Sequence, residues 1–146
     1  MEGRSAVRDR GSAVIEFLVI GVLVLIPLAY IAMCVMRVQA ASVASSLAVR
    51  EAGRAFVSAD TVSDAQIRAT SAARLALADQ GFRLPIHSLK IICSTGSCLE
   101  PESTVQVRLD WHVDLPWLPA FLGQERTSIP ITARRTMPVD TYRGEQ

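Results

Sequence analysis

The stretch Phe17 to Met36, FLVIGVLVLIPLAYIAMCVM, is twenty consecutive residues without a charge. At about 1.5 Å per residue, a helix of that length reaches about 30 Å, the thickness of a bilayer's hydrocarbon core. Extending the run back to Ala13 admits one charge, Glu16. The competing reading is a cleaved signal peptide, whose apolar core is usually about 7–15 residues and is followed by a small-residue cleavage site. This run is longer. Although Ala40 and Ala41 are small, Met36, Arg37 and Gln39 make a poor approach to such a site. A retained membrane helix over about residues 14–36 is therefore expected. Pro27, in mid-span, removes one backbone donor and crowds the preceding turn, which predicts a kink of the kind membrane helices tolerate.

The flanks set the orientation. Arg4, Arg8 and Arg10 precede the run closely, whereas Arg37 stands alone after it until Arg50. By the positive-inside rule residues 1–11 form a basic cytoplasmic leader, and everything beyond Arg37 is extracytoplasmic. The helix should also continue past the bilayer. Residues 37–57 lack proline, and Val38, Ala41, Ala44, Ala48, Ala52 and Ala55 recur three or four apart. A stripe of small residues permits close helix approach. The plain alternative is a stretch of high helix propensity. Both readings predict one long helix from about Val14 to Val57.

After a polar break at residues 58–62, Ser63 and Gln66 have the spacing of a capping box. They predict an Ala-rich helix from about Asp64 to Gln80, closed by Gly81 in a left-handed cap. From Leu84 the period changes. His87 to Ser94 puts Leu89, Ile91 and Cys93 on one side. Val105, Val107, Leu109, Trp111, Val113 and Leu115 alternate strictly with polar residues, the strongest strand signal in the chain. Ser128 to Met137 is a third strand, with Ile129, Ile131 and Ala133 on one face, and Pro130 marks it as an edge strand. The intervening 116–123, with two prolines, reads as a loop packed onto the core, and 141–146 as a loose tail. About three antiparallel strands with helix on one face make an α+β unit over residues 58–146. At roughly 90 residues its core is marginal.

That makes the cysteines informative. Cys93 and Cys98 flank a turn containing Gly96. In an oxidising compartment a disulfide closing the hairpin is expected, with a stabilisation of roughly 2 kcal/mol for so short a loop. Two reduced thiols at neighbouring strand ends are the alternative. A metal site needs four ligands, and only His87 and His112 could join, at spacings that do not support one. Cys34 lies inside the apolar run and reads as an inert packing residue.

Composition limits the function. Fifteen Lys+Arg against 14 Asp+Glu leave a net charge of +1, which argues against bulk nucleic-acid binding. The basic residues are arginines apart from Lys90, and they are scattered rather than clustered as phosphate recognition would require. An aromatic share of 5% is too low for a base-stacking surface. No G-x-S-x-G, H-E-x-x-H or phosphate-binding glycine loop occurs, and carboxylates are not clustered. His112 lies between Asp110 and Asp114 on a strand's polar face, which reads as a solvated surface. Gly21 has no glycine partner at the membrane-helix dimerisation spacing. A non-enzymatic chain without cofactor or metal is expected.

Glu16 remains. A carboxylate at the edge of an apolar helix is costly without a partner and so is functional by default. The alternative is an interfacial acid favoured by the helix N-terminus. Its context is Arg10-Gly11-Ser12-Ala13-Val14-Ile15-Glu16-Phe17. A short basic leader ending in Gly, with Glu five residues on and an aromatic next, resembles the processing region of type IV pilin-like proteins. The string RGSAVIEFLVIGVLVLIPL is similar to the opening of TadE-like proteins of the Flp/Tad pilus assembly system. The likeness covers about 25 residues closely, and the rest of the chain agrees in layout.

The resemblance implies a pilin-like α+β fold: a long N-terminal transmembrane helix, a second short helix and a small antiparallel sheet. It implies cleavage after Gly11 by a prepilin peptidase, Ser12 as the new N-terminus, and Glu16 as the fifth mature residue, paired with the N-terminal amine of a neighbouring subunit. Two opposite charges in low dielectric satisfy each other better than either does alone. Phe17 departs from the tyrosine of the Flp pilin motif, which loses a hydroxyl there. The implied function is a minor pilin-like subunit (pseudopilin) of the cytoplasmic membrane, working with other pilin-like subunits and the Tad machinery. The alternative is an uncleaved, single-pass anchored extracytoplasmic binding or sensor module, in which the leader serves only to orient the helix.

Overall fold

A computed structural model describes residues 6–94, 96, 98–115 and 128–141, with side chains from Ala13 onward. The chain divides into two units, Met1–Met36 and Arg37–Gln146. In the first, α1 (Ala6–Val57) begins eight residues before the expected Val14 and passes through Pro27 without interruption. Neither Gly11 nor Ser12 ends the helix, because a single residue of modest propensity costs at most about 1 kcal/mol, which a long helix absorbs. From Val14 to Met36 the large apolar side chains of α1 are exposed.

In the second unit the remainder of α1 covers a three-stranded sheet. The middle of the expected stripe is there: Ala41, Ala44, Ala48 and Ala52 are fully buried, and Ser45, Val49 and Phe56 join them, while Val38 and Ala55 at its ends are half-buried. Its partners include the sheet. A Cβ on Gly53 would stand 2.9 Å from Met137 Cγ and 3.7 Å from Val107 Cγ2, so the missing side chain is what permits this approach.

The second helix, α2 (Val62–Ala78), starts two residues earlier than the capping-box reading placed it. Thr61 is the cap, with extended backbone, and its hydroxyl accepts from Asp64 N at 3.2 Å. Ser63 is already inside the helix. The Asp64 carboxylate pairs with Arg68 Nε at 2.7 Å, one turn on, instead of returning to the cap. Ala65, Ala69, Ala73 and Leu77 form the buried row of α2. Gly81, at φ 76°, ends it as expected. Its N–H donates to Ala78 O and that of Phe82 to Leu77 O, both at 2.9 Å, which satisfies two terminal carbonyls.

The strands are β1 (Leu89–Cys93), β2 (Thr104–Asp114) and β3 (Ser128–Pro138), antiparallel in the order β1-β2-β3. In β2, Val105, Val107, Leu109, Trp111 and Val113 are all buried, each contributing about 1.5–3 kcal/mol of apolar burial. Leu115 falls one residue beyond the strand and is half-buried. β3 is an edge strand, as Pro130 required, and it turns Ile129, Ile131 and Ala133 to the partly buried side. Cys93 and Cys98 are disulfide-bonded, with Cα atoms 5.0 Å apart. Beside them Ser94 N donates to Thr104 O at 3.0 Å and Thr104 N to Ser94 Oγ at 2.9 Å, closing the ladder's end. The expected loop at 116–123 and the tail from 142 lie outside the described residues.

Candidate assembly segment

The apolar part of α1 is the most unusual surface of the chain. Between Ala13 and Met36 it is apolar all round, and no side of it is buried. It is long and apolar enough to cross a membrane. Monomers in water seldom carry a continuous apolar surface of this extent, so lipid or other helices must cover it. Glu16 is the one charge in this segment and is exposed near its beginning. Phe17, the next residue, is 75% exposed. They project about 100° apart around the helix, so one partner surface meets both only by wrapping part of the circumference. Gly21 has open space around it.

Gly11 and Ser12 lie within α1 by backbone, and their surroundings fall outside the described residues. Glu16 stands five residue steps along the helix from Gly11, a rise of about 7.5 Å. Gly11 lowers the local stability of the helix by about 1 kcal/mol relative to alanine. Cys34 is a free, half-buried thiol one helical turn from Tyr30.

The second unit holds a feature that periodicity did not reveal. The Ser45 hydroxyl donates to Ala41 O at 2.7 Å and accepts from Trp111 Nε1 at 2.8 Å. Trp111 meets Phe82 edge-to-face, with centroids 5.3 Å apart. Above Phe82 sits the Arg37 guanidinium, 5.2 Å from the ring centroid, and Arg37 Nε donates to Asp114 O at 3.3 Å. The first residue after the apolar run is thereby tied to Phe82, just after the Gly81 cap of α2, and to the end of β2. Edge-to-face rings contribute about 0.5–1.5 kcal/mol, and a solvent-exposed cation such as Arg37 over a ring about 0.5–1. The sequence signal was present but weak: a serine in an alanine stripe, and a tryptophan needing a polar partner.

On the outer face of the sheet, Asp110 accepts from Arg108 Nε at 2.7 Å and from Thr132 Oγ1 at 2.9 Å. The Arg108 guanidinium first, then the Thr132 hydroxyl, hold its carboxyl below the usual range. His112 lies exposed on the same face, and His87 in the turn before β1. Among the described residues no group of three or more His, Cys, Asp or Glu converges as metal ligands. No family model, curated protein or solved structure matches this chain.

Proposed function

We propose that this chain is a non-enzymatic, minor pilin-like subunit of a Tad-type (Flp) pilus or related secretion system. In this reading it is anchored in the cytoplasmic membrane with residues 1–11 on the cytoplasmic side and the disulfide-bonded unit outside. A prepilin peptidase removes the leader after Gly11, so that Ser12 becomes the N-terminus. Glu16, Phe17 and the bare apolar helix then make the contacts to other pilin-like subunits and the Tad machinery. Copies of one head-to-tail contact build open assemblies, which suits a helix offering apolar surface on every side.

The observation that carries the reading is the continuous exposed apolar surface of α1 with a lone carboxylate at its start. A simple lipid anchor has no need of that acid, whereas a neighbouring chain's freed amine would pair with it. The disulfide adds support for the orientation, because such bonds persist in oxidising compartments.

N-terminal sequencing of the protein extracted from membranes of a piliated cell is the direct test. The expected start is Ser12. A start at Met1 or Glu2 overturns the processing step and favours the uncleaved anchored module. Glu16→Ala should impair assembly while leaving membrane insertion intact, and normal piliation in that variant would count against the subunit role.

A further inference from the structure

The open edge of β3 combines three observations. Eleven residues long, β3 pairs with β2 on one side, and among the described residues nothing pairs with the other. A cleft of about 460 Å³ runs between this edge and the second half of α1, lined by Leu47, Val49 and Arg50 of the helix and Ala133, Arg134 and Arg135 of the strand. The charged residues that line it, Arg50, Arg134 and Arg135, are of one sign, and the acid beside it on β2, Asp110, is engaged by Arg108 and Thr132. Lys90, Arg108 and Arg134 stand in one register row across the outer face. Arg135 opposes buried Val107 and so belongs to the helix-facing side, where Arg50 flanks the same cleft. Asp110 neutralises Arg108. Lys90, Arg50, Arg134 and Arg135 have no ion-pair partner among the described residues.

Like charges directly opposite on neighbouring strands repel. With Arg108 neutralised by Asp110, the uncompensated cations at the edge are Arg50, Arg134 and Arg135, a surface that an anion would relieve. Edge strands are also commonly protected by charge and proline, and Pro130 does so near the start of β3. The cleft, however, lies beyond Pro130, where backbone groups stand beside Leu47, Val49 and Ala133 within a rim of arginines.

We propose that the β3 edge is a docking site for an extended acidic segment of a partner protein, added as a fourth strand. Strand addition takes affinity from main-chain hydrogen bonds and specificity from alternate side chains. One set would enter the cleft against Leu47, Val49 and Ala133, so it is apolar. The other set would lie on the outer face beside Arg134, with Arg50 and Arg135 at the rim of the cleft, so it is acidic. The occupant is thus a peptide alternating apolar and acidic residues. Nucleic acid is disfavoured because, among the described residues, the outer face of the strands carries no Phe, Tyr or Trp on which bases could stack. The inference stands whether or not the leader is removed.

The test uses the full chain in detergent micelles and a short labelled peptide of alternating valine and glutamate, with empty micelles as the blank. Saturable binding that weakens with salt is expected, and the valine–lysine counterpart should not bind. Methylating alternate backbone nitrogens of the peptide should weaken binding roughly tenfold or more, since ladder bonds are lost. Arg134→Glu/Arg135→Glu should lose roughly tenfold or more for the acidic peptide and gain binding of the lysine peptide. A circular dichroism spectrum and urea transition matching the native chain show the variant to be folded. Absence of saturable binding by the intact protein, or indifference to the double reversal, overturns the proposal. So does equal binding of the methylated peptide together with full competition by inorganic polyphosphate, which would mean that charge alone is read.

Discussion

The two parts of α1 both carry apolar residues and do opposite things with them. From Val14 to Met36 the side chains are large, and every direction around the helix is bare. From Arg37 to Val57 they are small on one side, and that side is sealed: Ala41, Ala44, Ala48 and Ala52 have no exposed surface. Bulk on every side makes a segment that lipid or many neighbours can solvate. An alanine stripe makes a segment that admits one specific neighbour at close range. The change falls near Arg37, whose guanidinium is held by Phe82 and Asp114.

The most damaging way to probe this contrast is to remove bulk on each side of it. Leu109→Ala empties a fully buried position beneath the packed part of the helix. It should cost about 2–5 kcal/mol in urea unfolding followed by circular dichroism. Leu23→Ala, in the bare part, should leave that transition unchanged within about 0.5 kcal/mol. Equal effects would mean that the two parts are not distinct environments.

Next comes the far end of the sheet. Replacing Cys93 and Cys98 together by serine should lower stability by about 2 kcal/mol, as closing a short loop predicts. Reductant should affect the native chain by the same amount and the double variant not at all. A smaller loss, about 1–2 kcal/mol, is expected for Ser45→Ala, which leaves the Trp111 indole N–H without its buried acceptor. The emission of Trp111 should shift with it.

The smallest effect belongs to Asp110. Its carboxyl is held below its ordinary value of 3.8 by Arg108 and Thr132, so it binds a proton less readily in the folded state. The stability it contributes is complete above the unfolded value and is lost as pH falls from there through the folded one. Asp110→Asn should therefore flatten the acid limb of a stability–pH profile below about pH 4 and change little at neutrality.

Much of this was legible residue by residue. The twenty uncharged residues announced their helix, and the strict alternation in β2 announced its buried face. Pro130 marked an edge, and Gly81 a left-handed cap. Other features were hidden because they depend on distance in space. The cap of α2 fell to Thr61 rather than Ser63, because either serine or threonine serves and only the backbone path decides which hydroxyl reaches a free N–H. The partners of Ser45 and Trp111 stand 66 positions apart, beyond any periodicity. The arginines looked scattered because strand pairing, not chain order, brings Lys90, Arg108 and Arg134 into one row.

The sequence alone determined which stretches bury apolar surface and in what local geometry, since that follows from side-chain type and a repeat of 3.6 or two. It also determined that residues 17–36 cannot remain bare in water, and it supplied the cysteine pair for a bond. The tertiary structure decided which surfaces met: the alanine stripe against the sheet, Arg37 over Phe82, and a crowd of cations at the open edge of β3. Such pairings depend on how elements with interchangeable local patterns settle together, and packing and register, not propensity, choose among them.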